Sequence, residues 1–153
     1  MADFQLQWSI EGDKELSRVL IGLGASLSDY RQPFNSSAEY LKRTFEWDVF
    51  NTQGKAIGER WKPLSPATIA AKARQGMFDG PLVATGNMRA SFRTIVSTDE
   101  AVVYNSAPYF KFHQSKEARG PWLPRRVMMA MGQNQKVTIV RYFQEYIQQS
   151  MRR

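Results

Sequence analysis

The sequence is expected to fold as a small α+β domain. A mostly antiparallel sheet, built from an N-terminal strand, a central hairpin and a late strand, is covered by helices and closed by a C-terminal helix. Three observations predict this. The first residues alternate apolar and polar with a period of two, several longer stretches carry apolar residues at helical spacing, and the middle of the chain reverts to short β-rich pieces around a polar turn. At 153 residues, with 42% hydrophobic and 23% charged content, the chain suits a single domain with its own core. No internal repeat or linker divides it.

Phe4, Leu6, Trp8 and Ile10 alternate with Gln5, Gln7, Ser9 and Glu11, the pattern of a strand with one buried face. Over residues 13–30, Leu16, Val19, Leu20, Leu23 and Leu27 recur at helical spacing, although Gly22 and Gly24 weaken that helix or admit a close neighbour. After Pro33, the polar residues Asn35, Ser36 and Ser37 offer caps for a second helix. Its inner face is Ala38, Leu41, Phe45 and Val49, widened by Tyr40, Trp47 and Phe50, and it fades near Gly54. Aromatic residues at this spacing read as core.

The stretch GERWKPLSPATIAAKARQG begins at Gly58 and holds the strongest helix start in the chain. Ser65 can accept a bond from the free amides, Pro66 at the first helical position forfeits no hydrogen bond, and Gly76 can take the left-handed conformation that ends such a helix. The alanines between them let another surface approach closely. Thr85 is then expected to cap a short helix from Gly86 to about Arg93, facing inward through Met88 and Phe92. Residues 94–97 and 101–105 flank Thr98, Asp99 and Glu100, a hairpin whose turn lacks the preferred glycine. Tyr109, Phe110, Phe112 and His113 read as a helical turn or irregular loop, and residues 115–121 as a polar loop. Residues 127–131 are short and continuously apolar, as in a buried strand. Asn134 can cap a final helix through Ile139, Val140, Phe143, Ile147 and Met151.

Composition removes several chemistries. The absence of cysteine excludes disulfides and thiolate metal sites, and the single histidine, His113, excludes any site that needs two imidazoles. His113 is also the one imidazole available as a general base; without a positioned partner it reads as a hydrogen-bonded residue at the edge of the core. Asp99 and Glu100 are the only adjacent acidic pair, and neighbours in a strand or turn point apart. There is no GxGxxG, phosphate loop or nucleophile elbow. No apolar run is long enough to span a bilayer, and the N-terminus lacks a signal-peptide pattern, so the chain is expected to be made in the cytoplasm, without a membrane partner. The formal charge is +7, and the part from Lys116 onward contributes +6 of it. Such a surface attracts phosphate or acidic partners.

Four blocks in order carry a family resemblance: Gly58, Trp61, Pro63, Leu64, Ser65, Thr68 and Lys72; Leu82, Thr85, Gly86, Met88, Arg89 and Ser91; Val103, Tyr104, Asn105, Tyr109, His113 and Gln114; and Pro124, Arg125 and Arg126 before an apolar stretch and a closing helix. In this the chain resembles the phage virion morphogenesis or tail completion family, the Mu G-like and P2 S-like neck proteins. Ser115 departs from the glycine expected after the His-Gln pair, and the first fifty residues match only in layout. The resemblance implies a non-enzymatic structural protein of the virion head-tail joint, without cofactor. It implies a homo-oligomer, a hexameric ring, between neighbouring connector and tail tube or terminator proteins, with non-specific DNA contact in the channel. Trp61, Pro63, Leu64 and Ser65 would anchor the start of the third helix, and Thr85 and Gly86 would turn the chain into the next. Lys116, Arg119, Arg125 and Arg126, in an irregular segment with Gly120, Pro121 and Pro124, are expected to be exposed and to meet an acidic neighbour or the DNA. The alternative is a basic nucleic-acid-binding module acting outside a virion. It would use those cations with Lys136, Arg141, Arg152 and Arg153 beside Phe110, Phe112 and Trp122.

Overall fold

A computed structural model of the protein describes residues 5–9, 29–114 and 124–152. The helix expected over residues 13–30 and the polar loop over 115–121 fall, but for Asp29 and Tyr30, outside the described residues. β1 (Gln5–Ser9), β2 (Phe92–Val96) and β3 (Glu100–Asn105) form an antiparallel sheet in the order β1-β3-β2, with Leu6 opposite Val103 and Thr94 opposite the same Val103 from the other side. The N-terminal strand and the central hairpin are therefore present as expected. In the turn, the Ser97 amide donates to Glu100 O (2.9 Å) and the Ser97 hydroxyl donates to Asp99 Oδ1 (2.9 Å), so a side chain secures a turn that has no glycine.

α1 (Arg31–Arg43) starts earlier than the cap-like residues suggest. Pro33 lies in the first turn, where a missing amide costs nothing, and Ser37 donates back to Pro33 O (2.7 Å) inside the helix instead of capping it. The start is held by Asp29 Oδ1, which accepts from the Arg31 amide (2.9 Å), and by the Tyr30 amide, which donates to Thr98 O (2.9 Å). The helix runs on through a π-helical stretch, Thr44–Asp48, where the Val49 amide reaches Thr44 O, and a last turn, Val49–Asn51. Phe34, Ala38, Leu41, Phe45 and Val49 form its inner face and are fully buried between the sheet and the C-terminal helix.

α2 (Pro66–Arg74) and α3 (Asn87–Ala90) follow, then α4 (Phe110–Gln114) after the hairpin and α5 (Gln133–Met151) at the end. α3 is shorter than expected because Phe92 and Arg93 pair as strand with Asn105 and Tyr104. Phe92 still joins the core, its ring tilted against Phe45 at 5.9 Å and edge-on to Phe110. α5 lays Ile139, Phe143 and Ile147 against α1, with Phe143 edge-on to Phe34 at 4.9 Å. Its first turn closes through Gln135, whose Oε1 accepts from the Gly132 amide (3.1 Å), and Asn134 does not serve as the cap.

The late strand does not exist. Val127, Met128 and Met129 are buried as an apolar strand would be, but among the described residues they pair with no neighbouring strand. Side chains take their backbone groups instead. Gln114 Oε1 accepts from the amides of Met128 (2.8 Å) and Met129 (3.1 Å), Gln114 Nε2 donates to Met129 O, and the Trp61 indole donates to Val127 O (2.7 Å). One glutamine and one tryptophan thus pair four buried backbone groups that a sheet neighbour would otherwise pair.

Candidate interaction surface

The surface is organised by a clamp between residues 59–62 and 125–127. Gly54 (φ 85°) lets the chain fold back on itself: the Trp61 amide donates to Gln53 O (2.8 Å) and the Glu59 amide to Gly54 O (2.9 Å). A Cβ on Gly54 would lie 1.8 Å from Glu59 O and 2.7 Å from Trp61 Cδ1, so the close approach requires glycine. Trp61 is buried edge-on to Phe50 (5.4 Å). Arg126 donates from Nε (3.1 Å) and Nη2 (3.0 Å) to Lys62 O, and Arg125 pairs with Glu59 at 3.1 Å. Pro63 and Leu64 lead from this clamp to Ser65, whose Oγ accepts from the Thr68 amide (3.2 Å) as the N-cap of α2.

The helix so anchored has no partner of its own among the described residues. None of its nine residues is buried, and Ile69 is 44% exposed. Just beyond it Phe78 is 61% exposed, and Trp47, on the π-helical stretch, is 50% exposed beneath the Arg89 guanidinium, whose Cζ lies 4.4 Å from the ring centroid. Lys42, Glu46, Arg89 and Arg93 join Trp47 and Phe78 around a groove of about 560 Å³. An isolated helix of this length is marginal in water. Here the capped N-terminus, the Lys72 bond to Gly80 O (2.6 Å) and the clamp hold it in place.

Between α2, the loop before α3 and α4 lies a smaller cavity of about 310 Å³, lined by Lys72, Thr85, Asn87, Tyr109 and His113 with Met77, Leu82, Val83 and Met88. Leu82 holds a positive φ of 62°, and Gly86 one of 78°. The Thr85 hydroxyl accepts from the Asn87 amide at a long 3.4 Å, so Thr85 caps weakly and Gly86 makes the turn, at the N-cap of α3. His113 sits at the core edge, but among the described residues its buried Nδ1 has no hydrogen-bond partner, unlike the satisfied histidine expected from the sequence. Burial, and then the Arg126 charge, hold the imidazole below its ordinary range. Burial likewise lowers Lys72; Asp79 opposes that shift and Arg126 adds to it.

The sequence-predicted cations separate. Lys116 and Arg119 lie outside the described residues. Arg125 is half-exposed and bound to Glu59. Arg126, expected to be exposed, is only 6% so, because its guanidinium ties the segment before Val127 to the W-x-P-L-S turn. Ser65 caps α2, and Trp61, Pro63 and Leu64 lie in the chain leading into it. Sequence reasoning missed the groove: Trp47 reads as part of a helical core face, and Phe78 falls outside every expected element. Gln114 carried no assigned role, since a lone glutamine gives no periodic signal. Among the described residues no group of three or more His, Asp or Glu side chains could hold a metal ion, and no helix is long and apolar enough to cross a membrane.

A family model described as the phage virion morphogenesis family matches residues 12–148. That span takes in the clamp, α2, the groove and the cavity. No curated protein and no solved structure matches the chain.

Proposed function

The chain belongs to the phage virion morphogenesis family, and on that premise we propose that it is a structural neck protein: a tail completion or connector subunit that assembles as a ring, hexameric to match a tail tube, and joins tail to head. The observation that supports this reading is α2. A helix with no buried residue, fixed at its start by a buried tryptophan and an N-cap, is a rigid projection built for contact with another chain. The exposed Trp47 and Phe78 near it, with the half-buried Arg89 over the Trp47 ring, have the composition of interface anchors. Such work calls for shaped surfaces and for no reacting group, so no catalysis and no cofactor enter the proposal.

Lys116 and Arg119, from their charge in the sequence, and Arg125 are the cations proposed to meet acidic groups of a neighbouring ring or the DNA channel. Arg126 is excluded from that role by its burial. Electron microscopy of particles made without this protein tests the function directly: heads and tails are expected to accumulate unjoined, and normally joined particles would overturn the reading. A basic module acting outside a virion predicts instead that the isolated monomer binds DNA with a steep salt dependence.

A further inference from the structure

The 310 Å³ cavity holds a combination of groups that the clamp and the projecting helix do not use. Its polar lining includes the donors Lys72, Asn87 and Tyr109, and no carboxylate is among its described lining residues, although the Asp79 charge acts on Lys72. Lys72 gives one proton to Gly80 O (2.6 Å), which leaves two of the three an ammonium carries. The Tyr109 hydroxyl accepts from Asn87 Nδ2 (2.8 Å), which leaves its own proton for another acceptor. His113 Nδ1 is buried and, among the described residues, unpartnered, a state rare enough in folded proteins to call for a further group. Beside them lies the buried Arg126 guanidinium, bonded to a carbonyl and, among the described residues, paired with no carboxylate within 4.0 Å. A buried cation without a counterion is costly, and its field reaches both Lys72 and His113. The rest of the wall is apolar, and it includes Leu82 in the left-handed region, which a leucine adopts only under constraint.

We propose that this cavity is a receptor for a carboxylate on a short aliphatic stem, the charge held by Lys72, Tyr109 and His113 and the stem lying against Met77, Leu82 and Met88. The site follows from its own geometry and stands whether or not the chain forms a neck ring. A phosphodiester fits it less well, because it brings no aliphatic stem to cover the apolar wall. A carboxylate of this kind is a glutamate side chain or chain terminus of a neighbouring subunit, or a free short-chain acid.

Because His113 is the only histidine, its ring resonances report on the cavity without ambiguity. Hexanoate, hexan-1-ol and inorganic phosphate, titrated separately into the intact ¹⁵N-labelled protein, are the probes. Hexanoate is expected to move the His113 signals saturably in the millimolar range, the affinity open to a ligand of that size. Hexan-1-ol should bind at least about tenfold more weakly for want of the charge, and phosphate should leave the signals in place. Lys72→Gln, which keeps a donor for Gly80 O but removes the charge, should weaken hexanoate by about tenfold. Equal response to hexan-1-ol, an equal or stronger response to phosphate, or no saturation by hexanoate in the wild-type protein would each overturn the proposal. Sedimentation velocity separates the sources: if the carboxylate comes from a second copy, saturating hexanoate shifts the protein toward monomer, and if it is a free acid, the assembly state is unchanged.

Discussion

Three side chains show how single residues set this surface. Trp61 fills the core against Phe50 and donates to Val127 O, so Trp61→Ala should cost about 3 to 5 kcal/mol in denaturant unfolding. Ser65 caps an exposed helix, and Ser65→Ala should cost about 0.5 to 2 kcal/mol. A variant at Trp61 that kept full stability and lost assembly would place that residue in an interface instead. His113 carries a pH signature. Its folded pKa lies below the ordinary 6.5, so as pH falls through that value the unfolded chain takes up the proton first and stability is lost until the folded imidazole also titrates. Unfolding midpoints of the wild type should therefore fall as the pH drops through the ordinary 6.5, while His113→Gln, which does not titrate, should show a flatter profile there.

At the scale of elements, the segment from Val127 to Met129 is the instructive case. It has the composition of a strand, yet Gln114 and Trp61 satisfy its backbone, so its place in the core depends on two side chains distant in sequence. Gln114→Leu keeps the bulk but leaves two buried amides without acceptors, each costing about 1 to 3 kcal/mol. The loss is expected to appear as lowered stability and as faster amide exchange at Met128 and Met129. α2 behaves in the opposite way. Its cap, Pro66 and terminal Gly76 (φ 65°) are all local, and nothing in the described chain covers it.

For the whole molecule, that exposed helix and the groove beside it make a prediction about assembly. Ile69→Asp combined with Phe78→Asp should leave the monomer folded, since both side chains are exposed, and should abolish both ring formation and head-to-tail joining. Normal particles from that variant would remove α2 from the interface. Lys116, Arg119 and Arg125 replaced together by glutamate test the basic side, with folded monomer and loss of joined particles as the expected result. Arg126 is left out, because placing a glutamate in its buried position would unfold the clamp and confound the outcome.

What the sequence determined by itself is everything that short-range chemistry decides. The period-two start became β1, the apolar spacing from Ala38 to Val49 became the buried face of α1, and Ser65, Pro66 and Gly76 bound α2 at both ends, because side-chain direction and amide capping act within a few residues. The ordered blocks around Trp61, Thr85, His113 and Arg125 likewise pointed to the family. The tertiary structure alone decided which polar groups meet across the chain. It placed Gln114 along residues 128–129, drew Arg126 down to Lys62 O, left Trp47 and Phe78 on the surface, and opened the donor-lined cavity beside His113. Those outcomes turn on pairs as far apart as Trp61 and Val127, 66 residues in sequence, and no local periodicity carries the requirement that a buried carbonyl find its donor there.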